Sequence, residues 1–423
     1  MPDSDRVCLC IDLKSFYASV ECVDRGLDPL SALLVVADPE RTEKTICLAI
    51  TPAMKALGIR NRCRVFEIPK NIKYVMATPR MQRYIDVSAN IYSIYLRYIA
   101  KEDIHIYSID EVFMDVTEYL ELYKTSAKEL AVKIIDDIYA NTGITATCGI
   151  GSNLYLAKIA MDITSKHVDD HMGMLDEQSY RETLWNHEPL TDFWRIGPGT
   201  VGRLQKYGIR TMRDIAKADE DLLYRIFGID AELLIDHAWG RESTTIKDIK
   251  AYKPKHNSIS SGQVLSRDYK YDEGRLLCKE MAELMCLDLV DKGLVTESIT
   301  LMISLSAGYE KSHVNGSIRM TMATSSSRMI LPYIEQLYDQ IMSREYTIRR
   351  IGMSFNEVVD EAYVQYDLFS NPEELEKERK LQKAMITIKN KYGKNAILKG
   401  MNLEKGGTTI ERNKQIGGHR SGV

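Results

Sequence analysis

The sequence predicts a multidomain α/β and α+β protein, and three observations carry that prediction. At 423 residues the chain is too long for one ordinary core and long enough for about three or four domains. To roughly residue 170, buried-strand patterns alternate with amphipathic-helix patterns. From 259 to 360, "ESITLMISLS" and "GSIRMTMATS" alternate with a period of two beside a long helical stretch, which reads as a separate α+β domain.

The elements follow in order. "RVCLCIDL" (6–13) reads as a buried strand, and "SFYASVECVDRG" (15–26) puts Phe16, Val20 and Val23 on one helical face. "ALLVVAD" (32–38) is a strand, "TPAMKALGIR" (51–60) a helix closed by Gly58, and "ANIYSIYLRYIA" (89–100) an amphipathic helix. "IHIYSI" and "VFMDVT" flank Asp110 and Glu111 as two strands, followed by a helix near 125–140 and the strand "ITATCGIG" (144–151). From 172 to 242 short helices are separated by glycines. Residues 243–258 are polar without strong periodicity and read as a linker. In the next domain "DEGRLLCKEMAELMCLDLVDKG" (272–293) is a helix and "YTIRRIGMSFNEV" a strand. Beyond 370 the chain turns helical and polar, with 12 Lys and Arg against 6 Asp and Glu over 372–423.

Composition excludes some classes. A chain 44% hydrophobic and 27% charged is ordinary for a soluble globular protein. The net charge of -4 is too close to neutral to point to any class of partner. The eight cysteines show no CxxC spacing and no zinc-like cluster, so they read as reduced core residues of a cytoplasmic protein. "MPDSDR" precedes no apolar signal segment, and "ALLVVA" is far too short to span a membrane.

"YSIDEVFMDV" (107–116) holds the chemistry. If its strands form a hairpin, Asp110 and Glu111 sit near the turn, where strict alternation of side chains lapses. Asp12 ends the strand "VCLCID" and would come alongside. Taken alone, an Asp-Glu pair after a strand is usually a solvated turn, and Asp12 a helix-terminus charge. Three carboxylates at one place repel one another and recruit cations. They suit two Mg²⁺ ions completed by substrate phosphates, the arrangement that serves phosphoryl transfer.

"CIDLKSFYASVE" (10–21), "YSIDEVFMDVT" (107–117) and "CGIGSNLYLAKIAMD" (148–162) closely resemble, in order and spacing, the three signature blocks of Y-family translesion DNA polymerases. The branch is UmuC-like, of Gram-positive bacteria and mobile elements, and the resemblance runs from about 6 to 369. It implies a right-hand polymerase with a βαββαβ palm (1–17 and 81–171), small fingers (18–80), a helix-hairpin-helix thumb (172–242), a linker (243–258), an α+β little finger (259–362), and a clamp-binding peptide with a basic helical tail (363–423). The activity implied is low-fidelity nucleotidyl transfer from a dNTP to a primer 3′-hydroxyl, in DNA repair or the damage response.

Carried over by position, the resemblance makes Asp12, Asp110 and Glu111 catalytic metal ligands for two Mg²⁺, with the backbone carbonyl of Leu13 beside them. Tyr17 becomes the steric gate against a 2′-hydroxyl, where the bland reading is a helix aromatic. Phe16, Lys55 and Lys158 become nucleotide-binding positions. The family often has a Tyr three residues before the Lys55 position. Here it is Pro52, with Thr51 a candidate to compensate. Gly197 and Gly199 match the thumb's phosphate-binding turn, and Arg319, Arg349 and Arg350 a DNA-facing sheet. "QYDLF" (365–369) is similar to the clamp-binding pentapeptide, with Gln365, Leu368 and Phe369 as anchors. Partners implied are primer-template DNA, dNTP and a sliding clamp. A UmuD-like accessory protein or a recombinase filament stays open. A nucleotide cyclase would share the metal chemistry but needs no thumb, gate or clamp peptide. A non-catalytic DNA-binding subunit would not need three carboxylates.

Overall fold

The structure, a computed structural model, describes residues 6–168, 170–255, 257–361 and 371–422. Two compact units divide the chain: one runs to Tyr252 and includes Ser421, the other runs from Lys253 to Arg420.

In the first unit β1 (Cys8–Leu13) leads into α1 (Phe16–Val23). Then come β2 (Leu34–Val36), β3 (Ala49–Ile50), α2 (Pro52–Ala56), β4 (Val75–Ala77) and α3 (Met81–Tyr95). They are followed by β5 (Ile104–Ile106), β6 (Glu111–Asp115), α4 (Thr117–Tyr123), α5 (Ala127–Thr142), β7 (Ala146–Gly151), α6 (Leu154–Asp162) and β8 (Met172–Leu175). The main sheet has the order β5-β6-β1-β7-β8, and β3-β2-β4 form a small sheet of their own. The central strand β1 is buried along almost its whole length, which is why "CLCIDL" is a continuous apolar run broken only by Asp12. Gly149 and Gly151 let α6 lie directly on β7. A Cβ at these positions would stand 2.0 Å from the Ala157 carbonyl oxygen and 2.1 Å from the Ala157 nitrogen.

Short helices α7 (Glu177–Thr183), α8 (Pro198–Gln205), α9 (Met212–Lys217), α10 (Glu220–Phe227) and α11 (Asp230–Trp239) follow, with a core of Tyr180, Phe193, Leu204, Met212 and Leu223. The expected linker is partly folded. Residues 246–251 form α12 (Ile246–Ala251), capped by reciprocal bonds between Thr245 and Asp248. Ile246 is buried against Cys8, Cys10 and Phe113. The signal missed there was the Thr-x-x-Asp spacing.

The second unit contains β9 (Ser258–Tyr269), α13 (Tyr271–Lys292), β10 (Leu294–Leu305), β11 (His313–Thr324), α14 (Ser327–Ile341), β12 (Ile348–Asn356) and β13 (Val359–Asp360). Its sheet has the order β11-β10-β12-β9. The inward residues Ile299, Leu301, Ile303, Ile351, Met353 and Phe355 pack with α13 and α14 into one core.

The tail is part of this unit rather than a free appendage. It comprises α15 (Pro372–Tyr392), α16 (Thr409–Asn413), β14 (Gln415–Ile416) and β15 (His419–Arg420). Met385 and Gln382 are buried, and Glu378 accepts bonds from the hydroxyls of Ser326 and Ser327. The basic surplus has a local counterpart on α13. Glu280 accepts from Asn402 Nδ2 (2.9 Å) and the Thr408 amide (2.8 Å), and Lys399 pairs with Glu283. Both carboxylates are buried, and a buried carboxylate needs such partners.

Candidate active site

Asp12 and Glu111 stand directly opposite each other on the neighbouring antiparallel strands β1 and β6. Asp110 lies in the turn just before β6, and its carbonyl accepts the Leu13 N–H at 2.9 Å. The turn is held by the Tyr107 and Ser108 amides, which both donate to the Glu111 carbonyl (3.0 and 3.1 Å), and by the Ser108 hydroxyl on Asp110 Oδ1 (2.6 Å). Strand pairing therefore brings Asp12 to two carboxylates that lie about a hundred residues further along the chain.

The electrostatics reflect the crowding. Burial first, then the charges of Asp110 and Glu111, push the Asp12 carboxyl up to about 7. Burial also raises Glu111, against the pull of Lys158. Lys158 is itself buried and pairs with Glu111 Oε1 (2.8 Å) and Asp162 Oδ1 (3.1 Å). Burial works against its charge, but Asp162, Cys10 and Glu111 outweigh it and raise the ammonium. The Cys10 thiol lies against Glu111 Oε1 at 3.4 Å. In this structure Lys158 is thus the counter-ion of the buried Glu111 carboxylate. Among the described residues, no three His, Cys, Asp or Glu side chains stand ready to hold a metal ion. Glu111 is turned to Lys158 and Asp110 to Ser108. The donor set of three carboxylates fits hard divalent cations once those two turn toward a common point.

Tyr17 sits beside this cluster. Burial first, and then the Asp110 charge, raise its phenol. Its ring stacks on Tyr84 with centroids 4.5 Å apart, and Phe16 packs at 5.8 Å. The Tyr84 hydroxyl donates to Glu21, which Arg80 and Arg25 also bind. Lys55 donates to the Ser15 hydroxyl at 2.9 Å. Burial lowers its pKa, Asp12 pulls it up, and Lys14 and Lys166 push it down. Lys14 and Lys166 therefore lie close enough to Lys55 for their charges to oppose its own. Sequence reading missed both, because a lysine in "DLKS" or "TSKH" carries no local signal. Thr51 does not compensate for Pro52: it is buried, and its hydroxyl is committed to Leu34 (3.2 Å to the amide).

Two family models match the chain, both described as the impB/mucB/samB family. One covers residues 11–162, and the C-terminal domain model covers 256–368. The putative UV-damage repair protein UvrX of Bacillus subtilis is 31% identical over 98% of this chain and 97% of its own length. The chain belongs to the UmuC-like Y-family of DNA polymerases. DNA polymerase IV 2 of the same organism is 28% identical over 98% of the chain and 99% of that protein. A Y-family polymerase chimera, Dbh-Dpo4-Dbh, shares the fold with a TM-score of 0.65 at 19% identity, covering 84% of this chain and 99% of that one.

The other expected Y-family positions fall as follows. Gly197 caps α8, and a Cβ at Gly197 or Gly199 would meet nothing within 4 Å, so both present open backbone. The left-handed residue of this turn is Arg195 (φ 69°) rather than a glycine. Arg319, Arg349 and Arg350 are exposed on the second unit. Arg319 is partly neutralised by Glu297 (3.1 Å) and Glu357 (3.4 Å), and Arg349 lies 4.0 Å from Asp268. Gln365, Leu368 and Phe369 lie outside the described residues. All eight cysteines are free and buried, and no helix among the described residues is long and apolar enough to cross a membrane.

Proposed function

We propose that Asp12, Asp110 and Glu111, with the Leu13 carbonyl, hold two Mg²⁺ ions of a translesion polymerase, and that Tyr17 excludes ribonucleotides. The observation that carries this reading is the cross-strand pairing of Asp12 with Glu111, locked to Asp110 by the Leu13 amide. When bound, the two ions supply charge to the attacking and leaving oxygens of phosphoryl transfer. Lys158 neutralises Glu111 in their absence and keeps its carboxylate ionised for them. Lys14, Lys55 and Lys166 face the triphosphate, and Tyr17 on its Tyr84 platform lies under the sugar. The primer 3′-hydroxyl displaces pyrophosphate from the α-phosphate. The deciding experiment is primer extension with Mg²⁺ and dNTPs across a template abasic site. No product on damaged or intact template would sink the reading.

The Asp12 carboxyl gives a pH signature in divalent-free solution. The unfolded group loses its proton near 3.8 and the folded one near 7. Between these values the native state binds more protons, so stability falls as pH rises. Thermal melts in chelator are expected to show this fall, and Asp12→Asn is expected to flatten it. An equal slope in the variant overturns the assignment.

A sliding clamp is the partner we assign to "QYDLF". A polymerase with few contacts to the nascent pair leaves DNA easily, and tethering raises its effective concentration at the primer end. Apolar anchors in a desolvated pocket carry most of such binding. Leu368→Ala combined with Phe369→Ala is therefore expected to leave single-nucleotide insertion intact and to remove stimulation of long extension by a loaded clamp. Undiminished stimulation would return the peptide to a local staple.

A further inference from the structure

Trp194 lies one residue before the left-handed Arg195 and three before Gly197, at the start of the α8 turn. Its indole N–H donates to the Tyr107 hydroxyl at 3.0 Å. The two rings also meet edge-on at 5.8 Å, and both rest on Phe113, at 5.9 Å from Trp194 and 5.7 Å from Tyr107. Arg195 covers the outer face of the indole, 4.8 Å from its centroid.

Tyr107 is tied to the carboxylates in three ways. Its amide donates to the Glu111 carbonyl. Lys158, which grips the Glu111 carboxylate, stands 6.0 Å from its ring centroid. Phe113, which it touches, is on β6 two residues after Glu111. A continuous chain of contacts thus runs from the α8 turn through Trp194 and Tyr107 to both the backbone and the counter-ion of Glu111. Tyr107 is 45% exposed, so water could satisfy its hydroxyl. The bond to Trp194 is not forced by burial, and its effect is to fix where the ring stands.

We propose that Trp194 and Tyr107 are positioning residues that couple DNA engagement at the 195–199 turn to the orientation of Glu111. This rests on the readings that the turn grips the DNA backbone and that Glu111 is a metal ligand. A phosphate drawn onto the turn fixes Arg195 and the indole beneath it. The indole fixes Tyr107, and Tyr107 fixes the backbone of the Glu111 turn, from which the carboxylate can swing off Lys158 to meet metal. The hydrogen bond is the link that a single atom can remove.

The test uses the full chain with primer-template DNA, Mg²⁺ and one dNTP. Trp194→Phe and Tyr107→Phe keep an aromatic ring at each position and delete the bond. Each is expected to lower kcat for insertion about 10-fold, within the roughly 100-fold that a misplacement of a catalytic group by about 1 Å can cost. KM for dNTP and the Kd for DNA should stay within about 2-fold, and the Mg²⁺ concentration for half-maximal rate should rise, since a misplaced Glu111 meets metal less well while the dNTP and DNA contacts are untouched. The double variant should be no slower than either single one, because both lose the same bond. Unchanged kcat and Mg²⁺ dependence in folded single variants overturns the coupling. So does a loss of rate that merely follows weaker DNA binding, or a double variant whose losses multiply. Asp110→Ala run alongside separates the cases: if it stays active, the carboxylate reading has failed; if it is dead while Trp194→Phe is normal, only the coupling has.

Discussion

Asp110→Ala is expected to lower the single-turnover insertion rate by about 1,000-fold or more while leaving the melting temperature nearly unchanged. Loss of a ligand to catalytic ions removes several kcal/mol of transition-state stabilisation, at about 1.4 kcal/mol per factor of ten. The fold survives because the Leu13 amide bonds to the Asp110 carbonyl, which alanine keeps, and among the described residues the side chain accepts from Ser108 alone. Glu111 behaves differently. Truncating it to alanine strips a buried partner from Lys158, and breaking such a pair costs roughly 3–5 kcal/mol. Glu111→Gln is therefore the cleaner probe of its role. An Asp110→Ala enzyme within a few-fold of wild type would end the two-metal reading.

The second large effect concerns selectivity. Tyr17→Ala is expected to raise ribonucleotide incorporation relative to deoxyribonucleotide by on the order of 100-fold, the scale on which a pocket rejects an added hydroxyl. The ring is held on two sides, by Tyr84 and Phe16, so it cannot easily move aside for a 2′-hydroxyl. Competing dNTP and rNTP in one reaction measures the ratio directly. Unaltered discrimination would leave Tyr17 as a packing aromatic.

The three signature blocks were legible because each is a short local pattern: a buried strand ending in an acid, a turn bearing two acids, and a glycine-rich strand running into a helix. Apart from the approach of Asp12 to the acidic turn, what depended on partners remote in sequence was not. Lys158 reads as a helix lysine, and nothing near it in the chain announces that α6, seated on two glycines, carries it onto Glu111. No strand was expected at β9, because most of its side chains are exposed and only Leu265 and Tyr269 are fully buried, which leaves a weak alternation. The glycines near 197 suggested where backbone would be open, but the left-handed residue is Arg195, a type that rarely adopts φ > 0. The basic tail resisted interpretation because its partners, Glu280 and Glu283, lie over a hundred residues upstream.

That docked tail has a consequence for how the chain tolerates cleavage. The Glu361 amide donates to the Gly293 carbonyl, its carboxylate accepts from Arg379, and α15 begins at Pro372. Folded chain therefore flanks residues 362–370 on both sides. A protease cut between 361 and 371 would end covalent continuity while leaving the C-terminal fragment seated through its own contacts. Loss of a continuous tether and loss of the tail are thus separable lesions. The nicked protein would behave as a two-chain complex, held together by the Glu280, Glu283 and Glu378 contacts.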